Sequence, residues 1–273
     1  MAGARLSLRC RTSSSRSAAG DVFRSLRAAV GFLTRVPMGT VDGSSMGGAI
    51  AWFPFVGVLI GALAGGVYAG AFWLTSPLVA ASLAISAEAL TTGAFHHDGL
   101  ADMADGFGGG WTVERRLEIM KDSRHGTYGV VSLILVLVIQ VASLGSLTAR
   151  QGFAALIAAN CLGRIGAVAV MVFMRPARAD GLGVAYREGL RVGVVALGGL
   201  AGLAIVVTIV GAPTAVLVGA ALVGALAVAL LAHRKIGGMA GDVLGAVEQI
   251  AATCVLVAAS ALAQHDHLLL WWR

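Results

Sequence analysis

The sequence predicts an all-α fold, a polytopic integral membrane helix bundle, and three observations carry that reading. Apolar residues make up 58% of the 273-residue chain and charged residues 12%, against about 45–50% and about 25% in soluble domains. Mean hydropathy is +0.85, more apolar side chain than a soluble globule of this length can hide and far too apolar for disorder. Thirty-eight glycines suit helices that approach closely in lipid. The three cysteines, Cys10, Cys161 and Cys254, are odd in number and far apart, which excludes a disulfide scaffold.

Residues 1–20 are rich in Arg and Ser, lack an apolar core, and read as a mobile cytoplasmic tail rather than a secretory signal. Residues 21–273 read as one membrane-embedded domain. Val22, Phe23, Leu26, Val30 and Leu33 recur at helical spacing with Arg24 and Arg27 off that face. That pattern predicts an amphipathic helix on the membrane surface, ending near Pro37. Six to seven transmembrane helices follow, each close to the ~20 apolar residues a span needs. The candidates are roughly 48–72, 78–95, 130–147, 152–174, 191–211, 213–232 and 243–263, and several are short enough that one could be re-entrant. Gly211-Ala212-Pro213-Thr214 forms a tight turn, and Trp271-Trp272 reads as an interfacial anchor.

Basic residues set the orientation. Arg24, Arg27 and Arg35 with four earlier arginines, then Arg115, Arg116, Lys121 and Arg124, then Arg175, Arg178, Arg187 and Arg191, then Arg234 and Lys235 all fall on one side. That is 17 of the 20 Lys and Arg residues, and it predicts the cytoplasmic face by the positive-inside rule. The +6 net charge follows from this topology. No aromatic-interleaved basic patch is present, so nucleic acid is not an expected partner; the lipid bilayer is.

The polar residues gather in the cytoplasmic segments. Asp98, Asp102 and Asp105 are spaced i, i+4, i+7, which on a helix puts them at 0°, about 40° and about −20°. Like charges on one helix face repel, and a bound cation relieves that repulsion. Oxygen ligands of this kind favour Mg²⁺ or Mn²⁺. A solvated acidic loop is the plain alternative, opposed by the apolar Leu100, Ala101, Met103 and Ala104 between the acids. Gly99, Gly106 and Gly108–Gly110 read either as bare backbone for a ligand or as flexible linker. Glu118, Lys121, Asp122 and Arg124 follow, the basic pair suited to phosphate. Asp242 heads the last span, either as a site carboxylate or as a residue stabilised by the helix dipole. Glu88 and Arg164 lie within spans, Glu88 about 15 Å deep. Intramembrane charges pair or line a polar cavity, so these two are expected to face each other or a common cavity.

The segment His96-His97-Asp98-Gly99-Leu100-Ala101-Asp102-Met103-Ala104-Asp105-Gly106 resembles the H-x-D-G-L-A-D-x-x-D-G signature of the cobalamin synthases, or adenosylcobinamide-GDP ribazoletransferases. The resemblance covers nearly the whole chain: Phe32-Leu33-Thr34-Arg35-Val36-Pro37, Phe53-Pro54-Phe55-Val56-Gly57, Glu118 through Thr127, and Gly237-Gly238 with Gly241-Asp242-Val243-Leu244-Gly245-Ala246 match further family motifs in order. Arg164, Arg175, Arg178 and Gly181-Leu182-Gly183 fall at family-like spacing. Met239-Ala240 departs where the family often has a threonine before Gly241. The resemblance implies a Mg²⁺-dependent phosphotransferase for substituted phosphate groups, in a bacterial inner membrane with its site facing the cytoplasm. It would join adenosylcobinamide-GDP to α-ribazole or its 5′-phosphate, giving adenosylcobalamin or its 5′-phosphate plus GMP. It further implies that Asp98, Asp102 and Asp105, with Asp122 or Asp242, hold Mg²⁺. His96 would orient a carboxylate or act as base, and Arg35, Lys121, Arg124, Arg164, Arg175 and Asp242 would bind substrate.

Two rivals remain. CDP-alcohol phosphatidyltransferases also place spaced aspartates at a cytoplasmic helix end, but their D-x2-D-G-x2-A-R pattern is not met, since no Arg follows the Ala. An ion-coupled transporter would use Glu88 and Arg164. Its expected inverted repeats with broken midplane helices are not visible.

Overall fold

The computed structural model describes residues 18–39, 46–122, 124–177 and 190–265. Ten helices of seven residues or more appear there: α1 (Ala18–Leu33), α2 (Phe53–Phe72), α3 (Pro77–Thr92), α4 (Phe95–Gly109), α5 (Val113–Ile119), α6 (Thr127–Gly145), α7 (Ala149–Phe173), α8 (Val192–Val210), α9 (Thr214–Ile236) and α10 (Gly241–Gln264). No strand forms among the described residues; one isolated bridge joins Pro176 to Met239. Six segments are long and apolar enough to cross a bilayer, and α3 with α4 makes a seventh if the bent pair counts as one span. The expected tail up to residue 17, Arg178, Arg187, Gly181–Gly183 and the tryptophan anchor lie outside the described residues.

Local signals place most helix ends. Ser76 accepts from the Val79 amide and Pro77 opens α3, where its missing N–H costs nothing. Thr148 and Gln151 form a reciprocal capping box at the head of α7. Tyr68 donates to the carbonyls of Leu144 (2.8 Å) and Leu147 (2.7 Å), tying α2 to the far end of α6. The expected surface helix is α1, with Val22 and Phe23 exposed and Leu33 buried.

Small residues set the packing. Gly57, Gly61 and Gly65 recur every fourth position on α2, and a Cβ at either of the first two would stand 2.5 Å from a backbone oxygen of α7. Close helix approach of this kind replaces the hydrophobic drive that lipid removes. α7 and α10 form the interior of the bundle, while α6, α8 and α9 present rows of exposed leucines, isoleucines and valines to the bilayer.

The expected second span, 78–95, stops at Thr92. Gly93 (φ +65°) and Ala94 (φ +57°) are both left-handed, and the chain turns by 90° between α3 and α4. The α3 segment of 16 residues reaches about 24 Å, short of a full ~30 Å crossing. α4 then lies across the end of the bundle. Gly99 meets the α10 backbone at Asp242, where a Cβ would stand 2.9 Å from the carbonyl oxygen, and Gly245 meets the α4 backbone at His96, where a Cβ would be tight at 3.1 Å.

The two intramembrane charges, expected to face each other or a common cavity, share one buried polar network without bonding directly. Arg164 Nη1 donates to Glu248 Oε1 at 2.7 Å and to Asn160 Oδ1 at 2.9 Å. Asn160 Nδ2 donates to Glu88 Oε2 at 3.0 Å. The two charges thus share Asn160, and the ion-pair partner is Glu248, a carboxylate inside the last span. Gln249, Gln140 and Thr253 extend the network to α6.

Candidate active site

The elbow at Gly93-Ala94 and the glycine crossing with α10 decide where the acidic stripe sits. Asp98 is exposed, Asp102 is half-buried and Asp105 is buried. The segment between α5 and α6 brings in a partner that sequence reasoning missed: His125 lies 3.7 Å from Asp98 Oδ1 through Nε2, and 3.7 Å from Asp102 Oδ1 through Nδ1. One ligand atom from each of Asp98, Asp102 and His125 falls within 4.8 Å of the others, a grouping that fits a metal ion. The signal that could have found His125 was its place beside Arg124 in a glycine-flanked turn, three residues past Asp122.

Electrostatics marks the same spot. Burial first, then the neighbouring Asp98 and Asp242 charges, push the Asp102 carboxyl up to about 6, against a smaller opposing pull from His125. Asp242, in the first turn of α10, therefore belongs to the neighbourhood of the cluster. Two carboxylates and an imidazole grouped this closely fit a divalent cation, and three protein donors leave positions open for substrate oxygens.

Asp105 faces the other way along the stripe. Its carboxylate accepts from the Gly126 amide at 2.6 Å and the Gly129 amide at 2.8 Å, at the head of α6. A Cβ at Gly126 would stand 2.5 Å from Asp105 Oδ1, and one at Gly129 would also collide with that carboxylate. These two glycines let backbone donors close on the acid, and the clasp holds His125 toward α4. Gly106 and Gly108 are neither linker nor ligand cradle: they lie within α4, against Met120 and the ring of Tyr128.

The remaining expected residues are spread around the cluster. Asp122 is held by Arg124 through two side-chain bonds, Nε to Oδ1 at 3.1 Å and Nη2 to Oδ2 at 2.7 Å. Those bonds hold its carboxyl down at about 2. Lys121 is exposed nearby. A cavity of about 300 Å³ opens among Asp105, Arg115, Asp122, Arg124 and Tyr128. A second, of about 510 Å³, opens on the other side of Asp98 and reaches Arg35, whose amide is tied to the Thr91 carbonyl at 2.8 Å. His96 points into the bundle, its Nδ1 3.7 Å from Glu248 Oε2. Arg164 is sealed in the same interior, and Arg175 helps fasten the end of α7 to Gly237. The structure thus joins Asp98 and Asp102 with His125, sets Asp242 beside them, and places His96, Arg164 and Arg175 away from them.

The profile of the Cobalamin-5-phosphate synthase family matches residues 25–260. The chain belongs to that family. Curated relatives named adenosylcobinamide-GDP ribazoletransferase agree. That of Bradyrhizobium diazoefficiens is 42% identical over 252 residues, covering 88% of this chain and 95% of the relative. That of Sinorhizobium medicae is 43% identical, covering 86% and 94%. That of Shewanella halifaxensis is 36% identical, covering 81% and 88%. No solved structure matches the chain.

Proposed function

We propose that this chain is an adenosylcobinamide-GDP ribazoletransferase that works with Mg²⁺ at the cytoplasmic face of a bacterial inner membrane. A hydroxyl of α-ribazole, or of its 5′-phosphate, forms a bond to the phosphorus nearest the cobinamide. The bond from that phosphorus to the bridging oxygen breaks, GMP leaves with the electron pair, and the hydroxyl proton passes to solvent. Family membership supports the reaction, and the Asp98–Asp102–His125 group, which joins the signature segment to the Glu118–Thr127 motif, is the observation that carries the site.

The residues divide the work by charge. The pyrophosphate is polyanionic, so neutralisation and positioning dominate such a transfer. Asp98, Asp102 and His125 would hold Mg²⁺, which supplies charge stabilisation at the attacked phosphate. Asp105 holds His125 in place through Gly126 and Gly129. Arg115 and Arg124, now paired with Glu118 and Asp122 around the smaller cavity, are the cations that exchange those partners for phosphate oxygens. Asp98 is exposed and opens the proton's route to water.

The test uses the protein in lipid nanodiscs with adenosylcobinamide-GDP, α-ribazole and Mg²⁺. GMP and the joined corrinoid should form in equal amounts, and neither should form without the divalent ion. Release of CMP from a CDP-alcohol instead, or no nucleotide at all, would sink the assignment.

A further inference from the structure

The larger cavity holds a feature that the acidic cluster does not explain. It sits in the elbow between the end of α1, the α3–α4 turn and the side of α6, and measures about 510 Å³. His97 lines it while only 7% exposed, and neither of its ring nitrogens has a hydrogen-bond partner. Burying an imidazole with both nitrogens unmet costs free energy. Such a group is expected where a ligand completes it. In the signature read from sequence, His97 stood as the variable neighbour of His96. The fold separates them: His96 turns to Glu248 in the interior, while His97 lines the cavity with both ring nitrogens shielded from solvent and the Glu88 carboxylate near its ring.

The rest of the lining says what kind of ligand fits. Phe32 and Phe95 stand edge to face, with centroids 5.2 Å apart, and both line the cavity. They offer apolar ring surface to a flat aromatic group. Asp98 and His125, two members of the metal-competent group, close one end, so a ligand in the cavity reaches the reacting centre. Arg35 stands at the rim with its guanidinium over Gly93, where any Cβ would collide with it. Arg35 and Asp98 balance in formal charge, while in the smaller cavity Arg115 and Arg124 face Asp105, Glu118 and Asp122.

We propose that this cavity is the acceptor subsite: it takes a nucleoside with a flat aromatic base against Phe32 and Phe95, His97 rotates a ring nitrogen outward to hydrogen-bond its polar groups, and its attacking hydroxyl lies at the Asp98 end. Arg35 faces the 5′-phosphate when the acceptor carries one. This rests on the reaction proposed above and adds the place and contacts of one substrate.

The experiment measures GMP release in nanodiscs, varying α-ribazole and α-ribazole 5′-phosphate at saturating adenosylcobinamide-GDP, and then the reverse. His97→Ala should raise KM for both acceptors about tenfold or more, leaving KM for the corrinoid and the Mg²⁺ requirement unchanged. His97→Asn, which keeps a donor and an acceptor, should recover part of the loss. Arg35→Ala should raise KM for the phosphorylated acceptor alone. Leu133→Trp, which fills the cavity from α6, should weaken both acceptors with the Mg²⁺ requirement unchanged, and guards against a misfolded His97 variant. Wild-type turnover with an unchanged acceptor KM in His97→Ala and Leu133→Trp overturns the subsite and leaves the reaction standing. So does a rise confined to the corrinoid KM. A wild-type protein that releases no GMP overturns the reaction itself.

Discussion

Asp105→Asn separates a positioning role from a metal-ligating one. The Asp105 carboxylate is 7% exposed and accepts two backbone amides, from Gly126 and Gly129. Asparagine keeps one acceptor oxygen and turns an NH₂ group toward the other amide. One charge-assisted bond is lost and one buried N–H is left unmet, together about 2–3 kcal/mol of local stability. At about 1.4 kcal/mol per tenfold, the segment should open about 30 to 150 times more often. Hydrogen exchange read by mass spectrometry over 124–129 should show that acceleration, and the Mg²⁺ concentration for half activity should rise because His125 is no longer held. Asp98→Asn is the control: it should abolish turnover while exchange over 124–129 stays at the wild-type rate. If Asp105→Asn leaves exchange untouched and still shifts the Mg²⁺ requirement, Asp105 is a direct ligand and the clasp argument is wrong.

Two further outcomes follow from charge. Asp102 has a folded-state pKa of about 6, above its ordinary 3.8. Its contribution to the stability of the metal-free protein is therefore present in acid and lost as pH rises through about 6. Because the ion needs the carboxylate deprotonated, Mg²⁺ should raise Tm at pH 7.5 and have little effect at pH 5. An equal Tm rise at both pH values, or one that survives in Asp102→Asn, would place the ion elsewhere. The second concerns orientation: Glu114→Cys, in a background without the three native cysteines, should resist an impermeant thiol reagent in intact cells and react in inverted vesicles. The reverse labelling would put the cluster on the wrong side of the membrane for cytoplasmic GMP.

Much of the fold was legible because it rests on composition and periodicity. A span needs only length and apolarity, and the seven expected stretches correspond to six long helices plus α3 with its bent continuation. The elbow was not legible. Ala94 gives no sequence hint of a left-handed backbone, and the turn takes 90° in two residues. The stripe of aspartates was visible from spacing, yet spacing alone assigns all three the same surroundings. Only tertiary contact turns Asp105 to the α6 amides and sets His125 against Asp98 and Asp102. Glu248 was hidden inside an apolar run. Several motif glycines answer to packing rather than chemistry: Gly57 meets the Asn160 carbonyl, and Gly245 meets the α4 backbone.

The buried polar network explains how so slippery an interface can hold a site. Helices that touch through glycine and alanine gain van der Waals contact but little rotational register, since smooth surfaces pack almost as well after a small slide. A slip of one residue turns a helix by about 100°, enough to carry Asp242 away from Asp102. The chain Glu88–Asn160–Arg164–Glu248–Gln249–Gln140–Thr253 joins α3, α7, α10 and α6 through directional bonds. Of these, α3, α6 and α10 each lead directly into the site, through the elbow, the Gly126–Gly129 clasp and Asp242. A slip at any of them strands a charge or amide in low dielectric, which is far costlier than a lost apolar contact. The network thus fixes the register that the glycine crossings leave loose, and the geometry of the cluster at the membrane face is set by bonds deep within the bundle.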